Sequence, residues 1–242
     1  MFYYIVEYYC ELFNGSHKPQ EKADNPLTNH ASADIMLRID KKQHRQDNKM
    51  KKDYIISHET IKNDFMYVHS PISRSFTEFT IENGCASNRY NEDIKNWDYI
   101  SIISKQKYTN GTTASTVCSF DDYGAPLIVL SDDITLDENN RRRYGLHFEV
   151  VAYEDGINVW HIIPFPENVS RPINPTLIGK LRFKIEDESK IDLKVTVKEK
   201  KLLIEANGNE LVAEHPEIPE SFHIGITACE GVNHFYSFSI ED

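Results

Sequence analysis

Basic side chains are in deficit. With 27 lysines and arginines against 38 aspartates and glutamates, the chain has a formal charge of −11. That opposes any sequence-independent hold on a phosphate backbone and offers no basic patch to anionic lipid. Neither nucleic acid nor a membrane is expected as a partner. Cysteine is sparse too: Cys10, Cys85, Cys118 and Cys229 lie far apart with no C-x-x-C pair, so neither a zinc knuckle nor a dense disulfide scaffold is signalled. Reduced, mostly buried thiols are expected. No apolar run approaches the roughly 20 residues of a membrane span. The apolar, aromatic opening from Met1 to Phe13 carries Glu7 and Glu11, and it lacks the basic start and small-residue cleavage site of a secretory signal. A cytoplasmic location is therefore expected, and the glycosylation triplets at Asn14, Asn110 and Asn168 lose their meaning.

Motifs of nucleotide and serine chemistry are missing as well. Neither G-x-G-x-x-G nor a P-loop occurs, Ile178-Gly179-Lys180 stands alone, and there is no G-x-S-x-G elbow. Asp132, Asp133 and Asp137 lack the glycine that a calcium loop requires, so the charge-dense stretch from Ser131 to Arg143 is expected to be a solvated loop. No cofactor and no metal is expected.

What is present divides into two textures. Residues 1–50 hold seven basic and seven acidic side chains, so the whole net charge resides in 51–242. From His17 to Met50 the chain is polar, with Pro19, Pro26 and a charged run over residues 41–49, and shows no sustained period of two or 3.6. Residues 1–69 are read as an N-terminal arm, partly helical or disordered. Phe2 to Phe13 is either a short helix docking on the main domain or part of an extension ahead of Met50.

After residue 70, short β-branched and aromatic runs alternate with turn chemistry, the signature of an all-β antiparallel sandwich. Expected strands are Phe76–Ile81, Tyr99–Ser104, Thr113–Phe120, Pro126–Leu130, Phe222–Cys229 and Phe235–Ile240. Ile191, Leu193, Val195 and Val197 point one way and the polar residues between them the other; Leu202–Ala206 and Leu211–Ala213 pair back across Glu199 and Asn207-Gly208. Tyr144 to Tyr153 and Ile157 to Ile163 form a hairpin about Asp155-Gly156.

The hairpin sequence from Tyr144 to His161, then Lys190 to Val197, Leu202 to Gly208, Phe222 to Gly231 and Phe235 to Phe238, resembles the concanavalin A-like lectin and glucanase superfamily. The resemblance covers about residues 70–242. It implies two antiparallel sheets packed as a jelly roll, one bent into a concave surface on which relatives often hold glycans or carry glycosidase residues. The glucanase hallmark Glu-x-Asp-x-Glu is absent, so no residue inherits a catalytic role.

With Asp155-Gly156 as the turn, Val151 faces Trp160, Tyr153 faces Asn158 and Glu149 faces Ile162. One hairpin face then carries Leu146, Phe148, Val150, Ala152, Ile157, Val159 and Ile163 for the core, with His161 among them as a hydrogen-bonded interior histidine. The other carries His147, Glu149, Val151, Tyr153, Asn158 and Trp160. An aromatic ring stacks on the C–H face of a sugar while amide and carboxylate bond its hydroxyls. Trp160, Tyr153, Asn158, Glu149 and His147 are thus the candidate ligand-binding residues of a non-catalytic, lectin-like module. The competing reading of that face is a lesser core under a loop. A glycoside hydrolase would need a second acid from another strand, with Glu230 the nearest choice; a protein-interaction domain or homodimer through an exposed sheet stays open.

Overall fold

The computed structural model describes residues 51–70, 77–89, 98–121, 123–165 and 173–242; the expectations for residues 1–50 lie outside them. The described elements are β1 (Lys51–Tyr54), α1 (His58–Asp64), β2 (Phe65–Val68), β3 (Thr80–Glu82), β4 (Cys85–Ser87), β5 (Ile100–Ser104), β6 (Tyr108–Thr109), β7 (Thr113–Asp121), β8 (Ala125–Ser131), β9 (Ile134–Leu136), β10 (Arg142–Tyr144), β11 (His147–Tyr153), β12 (Gly156–Pro164), β13 (Ile173–Arg182), β14 (Ile191–Lys198), β15 (Lys201–Ala206), β16 (Asn209–Glu214), β17 (Ser221–Cys229) and β18 (Val232–Glu241).

They form two large antiparallel sheets. The first runs β16-β15-β14-β7-β18-β4-β3, with β1 also on β18; the second runs β13-β12-β11-β8-β17-β5-β2, with β6 also on β17. Alternation along the strands decides which residues meet between them. Leu193, Val195 and Val197 of β14 join Phe148, Val150, Ala152, Ile157 and Val159 of the β11–β12 hairpin in one core, together with Ile128, Leu130, Ile224 and Ile226. Sequence periodicity assigned the inward positions of β14 and of the hairpin correctly, whereas β8, buried at every residue, has no alternation to read.

Two departures matter. Residues 51–68, read from the sequence as arm, supply a strand to each sheet: β1 pairs with β18 and β2 with β5. Between them α1 crosses from one sheet to the other, capped by Ser57, whose Oγ accepts from Thr60 N at 3.1 Å. Tyr54 and Phe65 pack on Phe238, and the Tyr54 and Tyr108 hydroxyls meet at 3.1 Å. The described sandwich thus begins at Lys51 and not near residue 70. β13 was not foreseen at all. Pro175 and Gly179 break its alternation, yet it pairs only with β12 and is an edge strand, where proline's missing donor costs no ladder bond.

Candidate functional site

The β11–β12 register differs from expectation by one residue on each strand. Tyr153 pairs with Gly156, Val151 with Asn158, Glu149 with Trp160 and His147 with Ile162, so the two-residue turn is Glu154-Asp155. Gly156 does take the positive φ that the sequence signalled, +121°, but as the first strand residue, where a Cβ would stand 2.1 Å from the Leu181 carbonyl oxygen of β13. Moving both strands by one preserves parity. Glu149, Tyr153, Asn158 and Trp160 therefore share the outer face of the second sheet, all half-buried, and Glu149 stands directly across from the indole. Tyr153 donates its hydroxyl to Asn158 Oδ1 at 3.3 Å. On β13, Ile178 bulges out between the pairs Val159–Gly179 and Trp160–Leu177, so the local irregularity falls beside the indole.

His147 departs from the expectation. Its side chain is only 6% exposed and its Nδ1–H donates to the Gly145 carbonyl at 2.9 Å. Its Nε2 faces Glu149 Oε1 across 3.6 Å, which is longer than a direct hydrogen bond. His147 backs Glu149 from beneath the surface.

Part of this outer face is roofed. Val68, Ile103, Leu127 and Val129 form a second buried apolar cluster against which Ile134 and Tyr144, from the β9–β10 hairpin, are packed. The charge-dense stretch read as a solvated loop is this hairpin. Asp137 organises it, accepting from the backbone N–H groups of Asn139 and Arg141 and from the guanidinium groups of Arg141 and Arg143. Desolvation alone would raise the Asp137 pKa, but those donors outweigh it and hold the carboxyl well below the usual range. Arg143 also reaches the His69 carbonyl at 2.7 Å, tying the roof to the end of β2.

A second carboxylate adjoins the face at the β17–β18 turn. Glu230 sits at φ +53°, and the turn is clamped by two buried amides. Asn233 Nδ2 donates to the Glu230 carbonyl at 2.8 Å; Asn88 Nδ2 donates to the Gly231 and Asp98 carbonyls at 3.0 and 2.9 Å while its Oδ1 accepts from Asn233 N. Burial raises the Glu230 carboxyl to about 7, against a hydrogen bond from Tyr99 that works the other way. The neighbouring Cys229 thiol is pushed well up, first by burial and then by the negative fields of Glu230 and Glu149. Tyr99 is raised by burial and by the same neighbours. Cys229 packs against the second apolar cluster, and both carboxylates act on one thiol and one phenol. Tyr99, Asn88 and Asn233 escaped the sequence reading because single polar residues scattered along a chain leave no spacing pattern.

On the core side of β12, His161 is buried as expected. Its Nε2 nevertheless lacks a hydrogen bond, and it lies beside His215 and Glu217.

Solved structures are similar to this fold. A carbohydrate-binding module, CBM66 of Bacillus subtilis, matches with a TM-score of 0.50 at 14% identity over 74% of this chain and 96% of its own. The fold is a concanavalin A-like jelly roll. A Bacillus subtilis protein with a galectin-like fold gives a TM-score of 0.49 at 11% identity over 79% of this chain and 98% of its own. The kappa-carrageenase of Pseudoalteromonas carrageenovora, solved with an oligotetrasaccharide of kappa-carrageenan, gives 0.45 at 8% identity over 83% and 98%. No family model and no curated protein matches the chain. At such identities the likeness is one of jelly-roll architecture, and what the face does must be argued from its own residues.

Proposed function

We propose that this jelly roll is a non-catalytic, lectin-like carbohydrate-binding domain whose ligand lies on the β11–β12 face. One observation carries the reading: Glu149 stands across from Trp160 with Asn158 and Tyr153 on the same half-buried surface. The indole offers a flat apolar platform to a pyranose C–H face, and the carboxylate and amide supply acceptors and donors for its hydroxyls. A carbohydrate-binding module with this architecture is compatible with it. The test is a glycan array followed by titration of the full chain with the best polysaccharide. Trp160→Ala is expected to weaken binding at least tenfold, about 1.4 kcal/mol, with Asn158→Ala weakening it less. A silent array, or undiminished binding by Trp160→Ala, overturns the proposal.

A second reading, a glycoside hydrolase, is favoured by Glu230 alone. A carboxyl held protonated to about pH 7 is what a general acid needs, and Glu149 supplies a second carboxylate toward the same Cys229 and Tyr99. Incubating the bound glycan with the protein separates the two. New reducing ends that vanish in Glu230→Gln, with binding retained, establish hydrolysis; binding without products leaves the lectin reading.

A further inference from the structure

We infer that His161, His215 and Glu217 form a binding site for a borderline first-row divalent cation, zinc being the ion that fits the donor set best. The three ligand atoms lie within 4.8 Å of one another, and His161 Nε2 stands 3.0 Å from Glu217 Oε2. Tetrahedral zinc with bonds of about 2.0–2.1 Å sets its ligands about 3.3 Å apart, so small side-chain movements suffice. Two imidazoles and one carboxylate, with water in the fourth position, suit zinc far better than the all-oxygen shells of calcium or magnesium.

The second observation is an orphaned lone pair. The His161 side chain is only 5% exposed, yet Nε2 has no hydrogen-bond partner. Glu217 Oε2 approaches it to 3.0 Å without forming a hydrogen bond. A buried ring nitrogen without a partner is costly in a protein interior, and a metal ion would satisfy it.

The surroundings hold the donors in place. The rings of His161 and His215 lie 4.1 Å apart, and Phe148 packs against both at 5.0 and 5.6 Å. The short segment carrying His215 and Glu217 is pinned by His215 N to the Lys200 carbonyl at 3.0 Å, by Lys200 Nζ to the Ile218 carbonyl at 2.7 Å and by the fully buried Ile218. Glu217 N–H donates to His215 Nδ1 at 3.3 Å. Metal binding through Nε2 moves the ring proton to Nδ1 and gives up only that long contact. Because His161 belongs to the second sheet and His215 follows the last strand of β14–β16 in the first, the ion would join the sheets at one edge.

The test uses the full chain, stripped with a chelator and titrated with zinc chloride, with cobalt(II) as the spectroscopic probe. One equivalent is expected to bind, to give the visible bands of tetrahedral cobalt, and to raise the melting temperature by about 5–10 °C at a hundredfold excess over the dissociation constant. Glu217 is exposed whereas His215 is half-buried against Phe148, so the zinc-induced shift of each variant is read against its own metal-free melt; Glu217→Gln and His215→Ala are each expected to lose the shift and weaken binding at least tenfold. His234→Ala, which touches the separate Cys85–His234–Asp121 group, keeps both. Absence of one-equivalent binding, or binding that survives Glu217→Gln and His215→Ala, overturns the inference.

Discussion

Glu230 occupies a position that works against it twice, through left-handed backbone and through burial of its carboxyl. The second cost is readable in solution. The folded-state pKa of about 7 exceeds the ordinary 4.5, so the stabilising contribution is fully present below pH 4.5, declines as pH rises, and is lost above about 7. That rise, from 4.5 to about 7, corresponds to about 3 kcal/mol at most. Glu230→Gln is therefore expected to gain stability relative to the native chain as pH is raised from 4 to 8, measured by urea midpoints at each pH. A difference independent of pH would show that burial does not set this carboxyl's state. Sequence singled out Glu230 only as the nearest second acid, because Asn88 and Tyr99, which complete the surroundings of the Cys229–Asn233 turn, are brought to it by the fold alone. Glu149 and Trp160 were legible for the opposite reason: they lie on one hairpin, where a period of two assigns the face even when the turn is misplaced by a residue.

Among elements, the β9–β10 hairpin decides how much of the second sheet's outer face is covered, and one side chain holds its turn. Asp137 gathers two backbone donors and two arginines. Its depressed pKa means that the carboxylate's contribution is present at neutral pH and lost only as pH falls below the usual carboxylate range. Asp137→Ala is expected to speed amide exchange across residues 134–144 at pH 7 while the β14–β16 meander stays protected, as read by hydrogen–deuterium exchange. Unchanged exchange in the hairpin would show that Ile134 and Tyr144 alone hold the roof. The stretch read as a charged loop because a three-residue strand such as Ile134–Leu136 is too short for alternation to register. β13 failed for a different reason, since proline and glycine signal turns by default and only its place at the sheet edge makes them tolerable. The β14–β16 meander, with clean alternation and an Asn-Gly turn, was legible nearly residue for residue.

At the scale of the whole molecule, residues 51–68 are the part of the described fold that composition disguised most thoroughly. The polar, charged stretch ahead of them and their brevity as strands concealed a segment that binds both sheets, through β1 on β18 and β2 on β5. Ile56, Ile61, Phe65 and Val68 are 7%, 4%, 3% and 3% exposed. Burying four such side chains contributes about 6–12 kcal/mol, which equals the entire net stability of an ordinary domain, about 5–15 kcal/mol. Removing them also strips the ring contacts from Phe238, takes the Tyr54 hydroxyl from Tyr108, and leaves β5 an open edge. A chain beginning at residue 70 is therefore expected to lose cooperative thermal unfolding and to aggregate, whereas one beginning at Asp47 keeps the melting temperature of the described sandwich. Far-UV circular dichroism melts of the two decide it. A sharp transition in the shorter chain at an unchanged temperature would mean that the segment decorates the jelly roll instead of completing it.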